Sequence, residues 1–362
     1  MADSDLRGLR DYFQHFADVH VAVASPLYAA LARKVASNDE LLEFASRATR
    51  GQPPANLLLA SVQYLLRMGP DDEPLRAYYP TLGGSRAAHD GDPAALFEAY
   101  IQANRKAILP LLSTKITNTN EVGRCGVLAA GFKLAANEAG ASLHMIEIGP
   151  SVGLNLSWDR FHYRHGTVEM GASDSPVRIA PELKGPMPPH LDGAMPMVAS
   201  RRGIELNPSP IEDEETLRWQ LALVFPEHVD RATRLSAAFA VAREMRPQII
   251  KGDAVKLIAE VIASLPQDGA VCVYHSQTTY QIPQDKRTAF SDSLKEAGRK
   301  RPIWRVGFEW LDGARTIESS DHALGLARYQ DGRRSYQHLA FCDPHGRWIE
   351  WGPTPPEDND RL

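Results

Sequence analysis

Apolar residues recur at three- and four-residue steps through roughly the first 138 positions, and beyond them short apolar runs alternate with amphipathic stretches. Leu6, Leu9, Tyr12, Phe13, Phe16 and Val19 build one helical face. Ser25-Pro26 reads as a cap followed by proline in the first turn, and Gln52-Pro53-Pro54 leads into a nearly continuous apolar helix from Leu57 to Leu66. Asp92-Pro93 opens another helix, with Leu96, Phe97, Tyr100, Ile101, Ile108 and Leu109 facing inward. Between these two lies a turn-rich link from Gly69 to Gly91. Asn118 and Glu121, three residues apart, form the pattern of a capping box for a helix from Val122 to Asn137 that stops at Gly140.

The pattern then changes period. Leu143 to Ile148 reads as a strand buried on both faces, followed by a small-residue turn at Gly149 and a helix start near Leu154 and Leu156. Phe161, Tyr163 and His165 alternate up to Gly166, as in a hairpin strand. A Pro- and Gly-rich stretch near 166–197 reads as an insertion, after which strands are predicted at Val198–Leu206, Gln248–Lys251, Ala270–Tyr274 and Ile303–Trp310. Helices are predicted between them, which is the signature of a parallel α/β sheet. Two strands around Asp331-Gly332, a short one near 346–352 and a polar tail at 353–362 complete the chain. The expectation is an α/β protein. A Rossmann-like sheet, mostly parallel with antiparallel C-terminal strands, occupies 139–362 behind an all-helical domain at 1–138.

Charge narrows the partners. Forty Lys plus Arg against 45 Asp plus Glu leave −5, which argues against a nucleic-acid surface and leaves a small molecule as the expected partner. Cys125, Cys272 and Cys342 are spaced for neither a disulfide framework nor a metal, so a reducing, cytoplasmic compartment is expected and no metal. No apolar run reaches membrane-spanning length. Oligomeric state stays open.

The turn after the first strand carries the chemistry. A phosphate-binding P-loop needs Lys before Ser or Thr, which is missing, and the dinucleotide fingerprint needs Gly where Ser151 and Leu154 stand. An acid followed by small residues at alternate positions (Glu147, Gly149, Ser151, Gly153) resembles motif I of the class I S-adenosylmethionine-dependent methyltransferases, with Ser151 in place of the usual Gly. That resemblance implies S-adenosylmethionine as cofactor, with the loop around it and Glu147 serving its methionine end. Glu205, closing the second strand, is the candidate for the ribose hydroxyls, with Glu169 as the alternative. Gly252-Asp253-Ala254 resembles the methyltransferase segment whose acid meets the adenine amino group; Asp253 could equally cap the following helix. Methyl transfer is an in-line displacement that needs a base only when the acceptor loses a proton. His275 and Tyr280, after the fourth strand, are the candidates for the acceptor side, His275 having the ordinary pKa for a base. Asn120, Arg124 and Trp158 are grouped with them as substrate-facing, Arg124 having a plain salt bridge as its alternative role.

Two other functions stay open. Gly149 to Gly153 is formally the G-x-S-x-G elbow of a serine hydrolase, with Asp253 and His275, His338 or His345 downstream. A degenerate fold that binds a ligand or a protein without turnover is the third. Taken together, the segments 117–124, 147–166, 202–208, 252–254 and 274–276 resemble the bacterial domain-of-unknown-function family numbered twenty-three thirty-two, which implies the architecture over almost the whole chain and no activity.

Overall fold

A computed structural model describes residues 3–188, 190–310 and 322–352. The polar tail predicted at 353–362 lies outside them. The chain divides into two compact units, one of residues 1–119 with 213–236, the other of 120–212 with 237–362.

The first unit is helical. It holds α1 (Asp3–His15), α2 (Pro26–Ala36), α3 (Asp39–Ala45), α4 (Pro54–Met68) and α5 (Pro93–Thr114), together with α7 (Glu214–Ala222) from later in the chain. The apolar face expected of α1 supplies Phe13, and α4 is buried along Leu57, Leu58 and Leu59, as its unbroken apolar run requires. Ser25, Asn38 and Asp92 cap α2, α3 and α5. Trp219 and Ala222 of α7 join this core, and Trp219 Nε1 donates to the carbonyl of Ile116 at 2.9 Å. A helix from the second half of the sequence therefore completes the N-terminal bundle.

The second unit is built on a nine-stranded sheet. Its strands are β1 (Leu143–Ile148), β5 (Glu182–Lys184), β6 (Val198–Glu205), β7 (Gln248–Lys251), β8 (Ala270–Ser276), β9 (Ile303–Trp310), β10 (His322–Gln330), β11 (Arg333–Cys342) and β12 (Trp348–Trp351). The order is β5-β12-β11-β10-β9-β8-β1-β6-β7, parallel from β7 through β9 and antiparallel from β9 to β12. Asp331 and Gly332, both at positive φ, make the tight turn between β10 and β11 that the D-G pair predicts. A separate three-stranded sheet holds β2 (His162–His165), β3 (Val168–Gly171) and β4 (Arg178–Ile179).

Helices α9 (Ala254–Ala263) and α10 (Gln284–Ala297) pack on one face against Ile146, Ile148, Val271, Val273 and Ile303. The other face takes α6 (Cys125–Ala139). A Cβ on its Gly131 would stand 2.7 Å from Val306 of β9, so this helix lies close on the sheet and groups with it. The helix α8 (Val229–Met245) begins in the first unit and ends in the second.

Three local expectations change. Glu121, not Asn118, caps the segment before α6, accepting from the amide of Gly123 at 2.9 Å, because the chain makes a 3-10 turn over Val122–Arg124 before the α-helix begins. The turn after β1 leads to a seven-residue 3-10 segment, Leu154–Arg160, kinked at Ser157, and not to an α-helix. Residues 154 to 158 are all buried, so no solvated helix face is available there. The Pro- and Gly-rich stretch is also organised: Lys133 of α6 sends its buried Nζ to the carbonyls of Leu191, Asp192, Gly193 and Ala194 at 2.9 to 3.2 Å.

Candidate functional site

In chain order the parallel strands β1, β6, β7, β8 and β9 lie as third, second, first, fourth and fifth across the sheet. The order reverses between β1 and β8, the kind of switch point at which open α/β sheets place ligands outside the carboxyl ends of their strands. The turn after β1 and the turn after β8 flank that point, and both are strained. Ser151 (φ 56) and Gln277 (φ 55) are two of the four non-glycine residues at positive φ among the described residues.

Each feature of the first turn has a partner inside the protein. The amide of Gly149 donates to Ile204 and that of Gly153 to Pro150. The amide of Ser151 donates to Glu205 Oε2 at 2.9 Å, and that of Leu154 to Asn120 Oδ1 at 2.9 Å. Glu205 Oε1 accepts from its own neighbour Asn207 at 3.1 Å, so both oxygens of this acid hold backbone. Gly149 sits at φ 68, and a Cβ there would stand 2.6 Å from the Thr278 methyl. The small residue thus admits the opposite loop. Glu169 lies in β3 of the separate three-stranded sheet, 62% exposed and beside His162.

Below the loops the sheet separates two polar groups. Glu147 is in register with Tyr274, and Ile148 with His275. Alternation along a strand sends successive residues to opposite faces, so Glu147 and His275 face away from each other. Glu147, on the α6 side, accepts from Tyr274 Oη at 2.9 Å. Burial pushes its carboxyl up to about 8; the Tyr274 bond and the Arg124 charge oppose this and the Glu205 charge adds to it. Glu147 is therefore a neutral acid at pH 7. Arg124 is buried beside it, donating to the carbonyls of Pro344 at 3.0 Å and Ser276 at 3.5 Å. Its guanidinium fastens the turns after β8 and β11.

His275, on the α9 and α10 side, is fully buried with Glu309, its Nδ1 2.7 Å from Glu309 Oε1. The same oxygen accepts the amides of Thr278 at 2.9 Å and Thr279 at 3.1 Å. Burial holds the imidazole below its ordinary range despite the carboxylate. His275 Nε2 and Glu309 Oε2 have no hydrogen-bond partner among the described residues. Glu309 escapes sequence reasoning because Arg305, Gly307 and Glu309 alternate as a solvated strand face would, yet Arg305 and Glu309 are buried.

The remaining expected residues divide by exposure. Asp253 caps α9, its Oδ1 accepting from Val255 at 2.9 Å, and stays partly exposed at the end of β7. Tyr280 is 52% exposed just past β8, and Leu206 is 61% exposed just past β6. Trp158 is fully buried against Phe132, ring centroids 4.7 Å apart, so it packs inside the unit. Asn155, which sequence reasoning passed over, is buried beside it in the chain and accepts from Cys125 Sγ at 3.3 Å.

Ser151 and His275 form no hydrogen bond, since His275 Nε2 has no such partner. Ser151 is tied to β6 and His275 belongs to β8, with β1 between. In the chain His275 precedes Glu309, opposite to the acid-then-His order of α/β-hydrolases. Among the described residues no group of three His, Cys, Asp or Glu is placed to hold a metal ion, and no helix is long and apolar enough to cross a membrane.

The chain belongs to the family DUF2332, described as an uncharacterized protein conserved in bacteria, whose model matches residues 10–351. No curated protein matches it.

Proposed function

We propose that this DUF2332 protein binds S-adenosylmethionine at the carboxyl edge of its parallel strands and transfers the methyl group to a small molecule. One observation carries the reading: the strand order brings the turn with Gly149, Ser151 and Gly153, the acid Glu205 and the partly exposed Asp253 to consecutive strand ends at one edge.

The adenosine end fits the groups present. Capping uses Asp253 Oδ1, and Oδ2 makes no hydrogen bond among the described residues, which suits the adenine amino group. The exposed Leu206 offers apolar surface to the flat base. Glu205 would receive ribose hydroxyls on lone pairs beyond those that hold backbone. The methionine end fits less simply, because Thr278 fills the space over Gly149. Moving the turn after β8 is therefore part of cofactor entry in this reading. When bound, the cofactor supplies an electrophilic methyl group; the chain's own contribution is orientation and exclusion of water. His275 would act through Glu309, by setting the turn that carries Thr278 and Tyr280.

Calorimetric titration with S-adenosylmethionine and S-adenosylhomocysteine tests this. Asp253→Ser keeps a capping hydroxyl and removes the carboxylate, so cofactor contact separates from helix stability. Binding should weaken about tenfold or more, as expected for loss of a charged hydrogen bond. The absence of both binding heat and a thermal shift at millimolar ligand would end the proposal.

A further inference from the structure

The methyl acceptor needs a base that His275 does not supply, because that ring is sealed beneath the edge with Glu309. A second histidine reaches the same edge from the antiparallel half of the sheet. β9 runs parallel to β8, and β10 and β11 each reverse direction, so the chain leaving β11 emerges at the carboxyl ends of β8 and β9. There the turn Asp343-Pro344-His345-Gly346 is fixed from three sides. Arg124 Nε donates to the carbonyl of Pro344 at 3.0 Å, and Gln277 Nε2, from the turn after β8, donates to the same oxygen at 3.4 Å. The buried Asp343 accepts the amides of His345 at 2.9 Å and Arg347 at 3.2 Å on Oδ1, and pairs through Oδ2 with the Arg347 guanidinium at 2.7 Å. Gly346, at φ 75, lies so close to the Val122–Arg124 turn that a Cβ would stand 2.2 Å from the Gly123 carbonyl oxygen.

This seating sets the His345 imidazole against Glu121. Its Nδ1 is buried and stands 3.6 Å from Glu121 Oε2, while the side chain as a whole is 39% exposed. The Glu121 carboxyl group is itself buried and held, Oε1 accepting from the Gly123 amide at 2.9 Å. Arg124 beside it, and Asp343 with Arg347 on the ring's own turn, are the other charged groups of these segments. The turn after β8 contributes Gln277 and, from there to Pro283, no charged residue. Asp343 is engaged by Arg347, so Glu121 is the acid placed to balance the charge that the ring acquires on taking a proton. With Nδ1 turned inward, Nε2 lies across the ring from the acid.

We propose that His345, oriented by Glu121, is the general base of this edge, and that the methyl acceptor is a hydroxyl, thiol or amine, which has a proton to lose. The inference rests on the methyl transfer proposed above. The bond from the acceptor atom to the methyl carbon forms as the carbon–sulfur bond of the sulfonium breaks. The electron pair of that bond stays on sulfur, and the acceptor's proton passes to His345 Nε2. A carboxylate acceptor has no proton to give and needs no such pair.

Long-range proton–nitrogen correlation spectra of the full chain with labelled histidine, before and after S-adenosylhomocysteine is added, test the pair. His345→Gln identifies the signal. A base at Nε2 requires the neutral ring to carry its proton on Nδ1, toward Glu121. In Glu121→Gln the amide oxygen keeps the Gly123 contact and the amide nitrogen, a donor, faces Nδ1, so the proton should move to Nε2. Wild type should therefore show the Nδ1–H pattern and the variant the Nε2–H pattern, and S-adenosylhomocysteine should shift the wild-type signals. An Nε2–H ring in the wild type, or one tautomer in both proteins, overturns the proposal. The wild-type arms hold even where the variant does not fold. His345 signals that stay unmoved while binding heat is measured also overturn it, and the cofactor reading then stands. No binding heat at millimolar ligand ends both.

Discussion

Glu309 Oε1 lies 2.7 Å from His275 Nδ1 inside the second unit, and the same oxygen holds the amides of Thr278 and Thr279. A fully buried pair on adjoining strands thereby sets the turn beside the switch point. Removing one partner leaves a buried polar group without compensation, so Glu309→Gln should lower stability by about 3 kcal/mol. Burial lowers His275; for Glu309 burial acts upward, but the bond and charge of His275 and the two amides prevail and lower it. Both groups bind fewer protons folded than unfolded, so their contribution is present above the unfolded values of 6.5 and 4.5 and is lost as pH falls through the folded ones. Urea unfolding at pH 7 and pH 5 measures this. A variant within about 0.5 kcal/mol of wild type at both would refute the role.

Gly149 and Thr278 should be coupled. Gly149→Ala places a methyl 2.6 Å from Thr278 Cγ2 at a φ of 68, and should cost about 2–3 kcal/mol. Thr278→Gly in the same chain should restore about 1 kcal/mol or more, leaving the backbone term. Strict additivity in a double-mutant cycle would contradict the contact.

Glu147 has the opposite sign to Glu309. Burial raises its carboxyl to about 8, so between the unfolded value of 4.5 and about 8 the folded state holds a proton that the unfolded state has lost. Its contribution is therefore present below the lower value and declines as pH rises through the interval. Glu147→Gln mimics the neutral acid. Relative to wild type it should gain on the order of 4 kcal/mol between pH 4 and pH 9. A difference that stays flat over that range would show that Glu147 titrates normally.

Lys133 organises the stretch after the small sheet. Lys133→Met keeps most of the buried volume and removes the donors to the carbonyls of residues 191–194, with an expected cost of about 3 kcal/mol. Limited proteolysis should then cut between residues 185 and 197 before it cuts elsewhere. An unchanged digestion pattern would mean that the ammonium is not what holds this segment.

Much of the scaffold was legible along the chain because its signals are local. The strands Gln248–Lys251 and Ile303–Trp310 are found at their predicted bounds, since apolar runs flanked by Gly, Pro or polar turns report strands directly. The Asp331-Gly332 turn and the caps at Ser25 and Asp92 were readable for the same reason. Asp253 fulfils its helix-capping alternative, which needs only the two residues that follow it. The α-helix expected after β1 did not form, because the burial of Leu154 to Trp158 depends on α6 and the sheet and is invisible in the local pattern.

By itself the sequence determined the α/β class, the helical start, the parallel strands and the acid-and-small-residue turn after the first of them. Periodicity, caps and turns act over a few residues and are written there. Tertiary structure alone decided that Glu147 and His275 lie on opposite faces and that Thr278 fills the space over Gly149. It also decided that Glu205 holds the backbone of Ser151 and that Glu309 is buried beside His275. These contacts join residues from 34 positions apart, as His275 and Glu309, to 129 apart, as Gly149 and Thr278, and no short stretch of sequence encodes such a distance.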